Sequence, residues 1–98
     1  EVFGPVMSVA SFDTVEEVFT AVNASRFGLQ AGIFTHDVQL AFRAQAELEV
    51  GGVIVGDVPS YRADQMPYGG IRDSGNTKEG PAWAVREMTE ERMVVITR

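Results

Sequence analysis

The residues best suited to chemistry in this sequence lie in one glycine-rich stretch, residues 66–75, and in the few residues before it. Arg62 carries a guanidinium, which suits a carboxylate or a phosphate because it can donate two parallel hydrogen bonds. Tyr61 and Tyr68 add aromatic side chains near that charge in the sequence. Glycine lets the backbone take positive φ or lets a ligand approach closely, and three glycines follow Tyr68 in this stretch. These residue types indicate an ordered loop that could bind a small molecule.

The same residues also have ordinary structural interpretations. Residues 56–76 connect two regular elements, so a crossover loop without a binding role fits the spacing. Arg62 has Asp57 and Asp64 close by in the sequence, which favours a salt bridge at the rim of the loop. Tyr68 fits packing within the loop as well as it fits a pocket wall. Spacing alone leaves these alternatives open.

Composition excludes several classes of site. The sequence has no cysteine, so it holds no thiolate nucleophile and no thiolate metal site, and the single His36 cannot build a metal site alone. The net charge of −6 argues against a nucleic-acid partner, which requires a basic surface. No apolar run approaches the ~20 residues of a membrane span. We therefore expect no metal, no nucleic acid and no membrane partner, and a cytoplasmic location.

The order of the regular elements predicts an α/β fold. Loose alternation over residues 6–12, a short apolar run over 29–35 and the apolar residues 53–55 predict three strands. Amphipathic segments that begin near Val15 and Val38 predict helices between them. This βαβαβ order is typical of right-handed crossovers and parallel strands. The third strand is uniformly apolar, which predicts a central position with both faces buried.

Cap and stripe residues define the two helices. Thr14 and Glu17 have capping-box spacing before the first helix, and Thr35 or Asp37 caps the second. The apolar stripe of the first helix consists of Val15, Val18, Phe19 and Val22. The inner face predicted for the second helix consists of Val38, Ala41, Phe42, Gln45 and Leu48. The two glycines at 51 and 52 predict a left-handed stop to that helix.

The rest of the chain predicts a long loop, a short helix and a last strand. Residues 56–76 are irregular but too apolar for disorder, which predicts an ordered functional loop. A helix follows from Thr77 or Pro81 to Met88, and Pro81 fits only in its first turn. Residues 92–98 predict a C-terminal strand. No short turn leads into this strand, so its ladder partner is expected to come from elsewhere.

Several motifs in one order resemble the aldehyde dehydrogenase superfamily, the NAD(P)-dependent oxidoreductases. The chain opens with Glu-Val-Phe-Gly-Pro, and residues 67–75 contain Pro-Tyr-Gly-Gly followed by Ser-Gly. Shorter matches lie at 27–29, 33–35, 51–55, 79–80 and 87–90. The likeness covers nearly the whole chain. Since Glu1 also stands where a complete protein would have methionine, we interpret the sequence as a C-terminal fragment of such an enzyme.

The resemblance implies a division of the chain and a cofactor contact. Residues 1–91 would be the last portion of the catalytic domain, and 92–98 a terminal strand that pairs with a neighbouring subunit in a homo-oligomer. Glu1 matches the glutamate that binds the nicotinamide ribose, and a carboxylate suits a vicinal diol because it offers two acceptor oxygens. Phe3 matches the phenylalanine that packs near the nicotinamide. The implied cofactor is NAD or NADP.

The resemblance also implies a substrate pocket and a reaction. Tyr68 matches an aromatic near the reacting carbon, whereas Tyr61 and Arg62 fall where family members differ and where substrate tails lie. In the family, a cysteine thiolate attacks the aldehyde, a hydride passes to the nicotinamide, and water activated by a glutamate releases the carboxylic acid. The cysteine lies outside these residues, so we expect no catalytic residue here and no activity of the fragment alone.

Two departures from the family pattern leave another interpretation open. Gly56 replaces an asparagine that is frequent after the preceding strand, and Thr77 replaces a frequent glycine. The first change removes a side-chain anchor of the loop. A non-catalytic binding or structural module derived from a dehydrogenase is therefore the alternative function. A small βαβ regulatory domain unrelated to dehydrogenases would require the order of motifs to be coincidental.

Overall fold

The computed structural model describes residues 2–98 and contains three helices and four short strands within them. In chain order these are α1 (Val15–Asn23), β1 (Phe27–Gly28), β2 (Gln30–Ile33), α2 (Val38–Glu47), β3 (Gly52–Val55), β4 (Ile71–Arg72) and α3 (Pro81–Met88). The predicted α/β class is confirmed. Of the predicted βαβαβ order, the helix–strand–helix–strand portion from α1 to β3 is present.

The parallel pairing predicted from the crossover pattern is present between β2 and β3. Gln30 pairs with Gly52 and Ile33 with Val55, and α2 forms the connection between the two strands. Gly56 extends the ladder by donating to the Ile33 carbonyl at 2.8 Å. The prediction of a central, fully buried β3 is wrong for the described residues. The sheet has two strands, so β3 lies at an edge and Val55 is 51% exposed.

Helix α1 follows its sequence pattern closely. The Thr14 hydroxyl accepts from the Glu17 amide at 3.3 Å, and the Glu17 carboxylate accepts from the Asp13 amide at 3.0 Å. This reciprocal arrangement satisfies two backbone donors at the start of the helix. The predicted stripe faces inward: Phe19 is buried, and Val15, Val18 and Val22 are half-buried.

Helix α2 keeps the predicted cap, but its packed face is shifted and shares only Ala41 and Leu48 with the predicted one. The Asp37 carboxylate accepts from the Gln39 and Leu40 amides, as expected of an N-cap. Ala44 is fully buried, whereas Val38 and Phe42, which were assigned to the inner face, are 60% and 66% exposed. The residues that face the chain are Leu40, Ala41, Ala44 and Leu48. A small residue at the closest approach lets the helix lie near β3, and this rotates the large side chains outward.

The predicted left-handed stop after α2 is wrong. The helix ends at Glu47 because Leu48 turns to an extended conformation, with φ −78° and ψ 120°. The positive-φ glycines in the described residues are Gly56, Gly75 and Gly80. Gly51 is needed for a different reason: a Cβ there would lie 1.9 Å from the Gly69 carbonyl oxygen.

Arg43 links the two helices through a pair of carboxylates. Its guanidinium donates to Glu47 one turn further along α2 and to Glu16 on α1, both at 3.0 Å. Hydrogen bonds to Glu47 and then to Glu16 raise the pKa of Arg43 above its ordinary value. The pKa of Glu16 is lowered, first by its backbone hydrogen bond and then by the one to Arg43. All three side chains are well exposed, so the link orients the helices more than it stabilises them.

Two predicted strands are missing from the described residues. Residues 6–12 and 92–98 have no regular secondary structure and no ladder partner there. Their apolar side chains are exposed: Val9 is 83% and Ile96 is 88% accessible. A β-strand is stabilised by hydrogen bonds to a neighbour, and the described residues offer no neighbour to either segment. Alternation was therefore insufficient to form a strand over residues 6–12. The strand over 92–98 was predicted to pair outside this chain, so it stays a prediction.

The helices of the described residues do not resemble membrane spans. The longest has 10 residues, and none combines the length and apolarity that a bilayer crossing needs.

Candidate functional site

Three residues in and near the glycine-rich stretch form a compact cluster, Arg62, Tyr68 and Glu79. The Arg62 Nη2 donates to a Glu79 carboxylate oxygen at 2.8 Å, and the guanidinium carbon lies 5.0 Å from the centroid of the Tyr68 ring. The expected salt bridge of Arg62 with Asp57 or Asp64 is therefore wrong, and the acid is Glu79. The Arg62 and Glu79 side chains are 49% and 60% exposed, whereas Tyr68 is half-buried.

A short backbone bridge explains how residues so far apart in sequence meet. The Tyr68 amide donates to the Glu79 carbonyl at 3.2 Å, and the Glu79 amide donates to the Tyr68 carbonyl at 2.6 Å. The pair forms an isolated antiparallel bridge that closes the loop between them. No local sequence signal marks this pairing, which is why Glu79 was not predicted as a site residue.

Two members of the cluster, Arg62 and Glu79, line an open cleft of about 480 Å³, and Tyr68 is not among its lining residues. Arg62 and Glu79 line it together with the start and outer turns of α3. Its ionisable residues are three acids and two bases, namely Asp64, Glu79, Glu87, Arg62 and Lys78. Lys78 is already engaged, because its ammonium donates to the Gly69 carbonyl. The cleft therefore combines one exposed guanidinium with an acidic surround.

Tyr61 is tied to the parallel sheet through its backbone. The side-chain Nε2 of Gln30 donates to the Pro59 carbonyl at 2.7 Å and to the Tyr61 carbonyl at 3.0 Å. Since Gln30 lies in β2, the first part of the loop is held against the sheet. The Tyr61 side chain is 47% exposed and does not line the cleft with Arg62. The structure thus brings Arg62 and Tyr68 together and leaves Tyr61 at the surface beside them.

Arg72 is a second residue that sequence reasoning missed. It lies in β4 with φ 54°, and its guanidinium donates to the carbonyls of Asn23, Ser25 and Glu49, at 2.6 Å for Asn23 and Glu49. These carbonyls lie at or just after the C-terminal ends of α1 and α2, where backbone acceptors lack helical partners. Arg72 therefore fastens the loop to both helices, and its role is structural.

The glycine-rich part of the loop packs closely on itself and is tied to β1 by Ser74. The Ser74 hydroxyl accepts from the Gly28 amide at 3.0 Å, next to the two-residue antiparallel pair of β1 and β4. A Cβ at Gly70 would lie 2.4 Å from the Ser74 Cβ, and one at Gly69 would lie 2.2 Å from the Thr77 carbonyl oxygen. The glycines after Tyr68 are thus required by close packing of the loop on itself. The prediction that residues 56–76 form an ordered loop is confirmed.

The two departures from the family pattern fit the backbone that the structure shows. Gly56 has φ 84°, in the left-handed region that glycine favours and asparagine tolerates better than most other residues. Replacing an asparagine by glycine keeps that backbone conformation accessible and removes only the side chain. Thr77 is not among the described residues with positive φ, so the backbone does not demand glycine there.

The two residues assigned to cofactor contact lie at the start of the chain. Glu1 lies outside the described residues. Phe3 is 90% exposed with φ 50°, and its ring is therefore not packed against the Tyr68 loop. Within residues 2–98 no group of three or more His, Cys, Asp or Glu side chains is placed to hold a metal ion.

Comparison with known proteins gives one consistent family. A model described as the aldehyde dehydrogenase family matches residues 1–94. A 3-sulfolactaldehyde dehydrogenase from Priestia aryabhattai is 56% identical over 98% of this chain and 20% of its own length. The chain thus spans about a fifth of this relative.

Solved structures agree with the sequence match. An NAD⁺ complex of an aldehyde dehydrogenase from Bacillus cereus superposes with a TM-score of 0.87 at 34% identity, over 92% of this chain and 18% of that one. A glyceraldehyde-3-phosphate dehydrogenase from Methanocaldococcus jannaschii, complexed with NADP, superposes with a TM-score of 0.74 at 37% identity. The match covers 78% of this chain and 17% of that one. Sequence and structure therefore lead to the same conclusion: the chain belongs to the aldehyde dehydrogenase family.

Proposed function

We propose that this chain is the C-terminal part of an NAD(P)-dependent aldehyde dehydrogenase that oxidises an aldehyde to a carboxylic acid. The observation that carries the proposal is the family match over almost the entire chain. The similar structures in complex with NAD⁺ and with NADP support a nicotinamide cofactor, which accepts a hydride when bound. The sequence has no cysteine, so the thiolate that attacks the aldehyde comes from another part of the parent enzyme.

The proposed contribution of the N-terminal residues is to hold the cofactor. Glu1 accepts hydrogen bonds from the two ribose hydroxyls, for which a carboxylate has the required pair of oxygens. Phe3 lies two residues away and packs against the nicotinamide. Its exposed ring supports this role, because a flat apolar surface that nothing else covers is free to pack against a planar group.

The proposed contribution of the loop is a wall of the substrate pocket. Tyr68 supplies the aromatic surface near the reacting carbon, and its bridge to Glu79 holds it in place. Arg62 lies over the Tyr68 ring and can face the substrate tail. Tyr61 lies at the outer rim. A wall built on fixed backbone orients the aldehyde, which is how binding energy contributes to rate.

The proposed organisation separates residues 1–91, as the end of the catalytic domain, from residues 92–98. The last seven residues form a strand only when a neighbouring subunit supplies the ladder partner, which makes the enzyme a homo-oligomer. The exposed apolar side chains of this segment support the proposal, since Val94, Val95 and Ile96 are all at least 72% accessible. An unpaired apolar strand in water would otherwise be an aggregation site.

Cofactor kinetics of the full-length protein that contains this chain test the proposal. We expect NADH or NADPH to accumulate when an aldehyde is added, and we expect the isolated 98-residue chain to produce none. Glu1→Gln should raise KM for the cofactor about 10- to 100-fold, because charge-assisted hydrogen bonds are lost. Glu91→Gln, an exposed acid outside the site, serves as the matched control.

The outcome distinguishes two functions. Turnover by the full-length protein with a normal cofactor KM in Glu1→Gln would remove Glu1 from the site and leave the reaction standing. Absence of turnover with a panel of aldehydes and both cofactors would refute the dehydrogenase proposal and favour a non-catalytic module.

A further inference from the structure

Arg62 is held on two sides of its guanidinium. Glu79 accepts from one terminal nitrogen at 2.8 Å, and the Tyr68 ring lies beneath the group at 5.0 Å. A guanidinium that is both stacked and paired has few orientations left, so its remaining N–H groups point in defined directions.

Arg62 keeps donors for a second anion. A guanidinium has five N–H donors, and among residues 2–98 Glu79 provides its one side-chain acceptor. About half of the side chain is accessible, and it lines the open cleft. A carboxylate, sulfonate or phosphate on a substrate tail can therefore reach Arg62 without displacing Glu79.

Glu79 starts from a fixed backbone position beside Arg62. Two hydrogen bonds to Tyr68 hold that backbone, and the carboxylate accepts from the guanidinium at 2.8 Å. An anion that binds Arg62 therefore meets the negative charge of Glu79 nearby. The other cation of the cleft, Lys78, is engaged with the Gly69 carbonyl and offsets little of that repulsion.

We propose that Glu79 sets the selectivity of this pocket between anionic and neutral aldehydes by acting through Arg62. It is a positioning residue: it orients the guanidinium over Tyr68, and its charge weakens the binding of a substrate anion to Arg62. The inference rests on the proposed function, in which Arg62 lies in the substrate pocket.

The test compares two aldehydes of equal chain length in the full-length enzyme, butanal and its anionic counterpart 4-oxobutanoate. Glu79→Gln keeps the side-chain length, an acceptor oxygen for Arg62 and the backbone bridge, and removes only the charge. The ratio of kcat/KM for the anion to kcat/KM for butanal should rise about threefold to tenfold, through a lower KM for the anion. A general effect on folding or chemistry changes both substrates alike and cancels in this ratio.

Two further variants distinguish an effect of the Arg62–Glu79 pair from an effect of the total charge of the cleft. Glu87→Gln removes an acid from the same cleft that is not paired with Arg62, and it should change the ratio by less than about twofold because exposed charges are screened by solvent. Arg62→Gln should lower the ratio about tenfold. Adding Glu79→Gln to it should then change the ratio by less than about twofold, because no guanidinium brings the anion next to Glu79.

The measured ratios distinguish a failure of the inference about Glu79 from a failure of the proposed function. A ratio that is unchanged or lower in Glu79→Gln, or that rises equally in Glu87→Gln, overturns the inference about Glu79. If wild-type enzyme oxidises butanal while the ratio does not respond, the proposed function survives and only this inference fails. If the wild-type enzyme oxidises neither aldehyde nor any other tested, the proposed function itself fails.

Discussion

At the scale of single residues, the loop requires glycine at three positions, Gly51, Gly69 and Gly70. At each of them, backbone or Cβ atoms of other residues lie so close that an added Cβ would overlap them. The contact between Gly51 and the Gly69 carbonyl joins the start of β3 to the residue after Tyr68. Tyr68 is thus placed by backbone packing, whereas Arg62 is placed by charge.

Gly51→Ala should destabilise the protein by about 3 kcal/mol or more, because the new Cβ would overlap a backbone oxygen that cannot rotate away. The neighbouring Gly52→Ala is the matched control. A Cβ there meets the Gln30 side-chain oxygen at 3.0 Å, which can shift, so the cost should stay below about 1 kcal/mol. Urea unfolding of both variants measures the difference, and equal midpoints would show that the close contact is not rigid.

At the scale of elements, side-chain caps determine where α1 and α2 start. The Asp37 carboxylate accepts from the Gln39 amide at 2.8 Å and the Leu40 amide at 3.4 Å, which satisfies two of the unpaired donors of α2. Helix α3 has no side-chain cap and begins with Pro81 after Gly80. Its first turn is set by the ring of proline, which has no N–H to satisfy.

Asp37→Ala should weaken the first turn of α2 by about 1 kcal/mol, because both amides lose their acceptor. Hydrogen exchange followed by mass spectrometry should show the first-turn amides of α2 exchanging about fivefold faster. Asp37→Asn keeps an acceptor oxygen and should exchange nearly as slowly as wild type. Equal acceleration in both variants would mean that charge at the helix start matters more than the hydrogen bonds.

At the scale of the whole molecule, most apolar surface of this chain is uncovered. Only Phe19 and Ala44 are buried hydrophobic residues among those described. Chains of this length bury a modest fraction of their surface, and here large apolar side chains remain exposed at both ends. The proposed remainder of the dehydrogenase and a neighbouring subunit would cover these surfaces.

Val95→Pro tests the proposed intersubunit strand. Proline removes a ladder N–H in the middle of residues 92–98, so the full-length protein should dissociate toward smaller assemblies. Val95→Thr keeps the N–H and the β-branched shape and should assemble as wild type does. Sedimentation velocity measures both. An unchanged sedimentation coefficient for Val95→Pro would remove this strand from the interface.

The sequence by itself determined the features that depend on near neighbours. The Thr14 and Asp37 caps, the stripe around Phe19, the first turn at Pro81 and the parallel pairing across α2 all follow from short-range patterns. The family followed from the order of motifs along the chain. The local features depend on residues a few positions apart, and the pairing and the family depend on the order of segments along the chain. None of them requires knowledge of a long-range contact.

Only the tertiary structure decided which distant residues meet. The pairing of Arg62 with Glu79, the contacts of Arg72 and the β1–β4 pair join positions far apart in sequence. Residues 6–12 form no strand for the converse reason, since their β-forming pattern meets no partner among the described residues, whereas residues 92–98 were predicted to pair outside this chain. A strand, a salt bridge or a pocket wall is a property of two segments at once, and a local pattern describes only one of them.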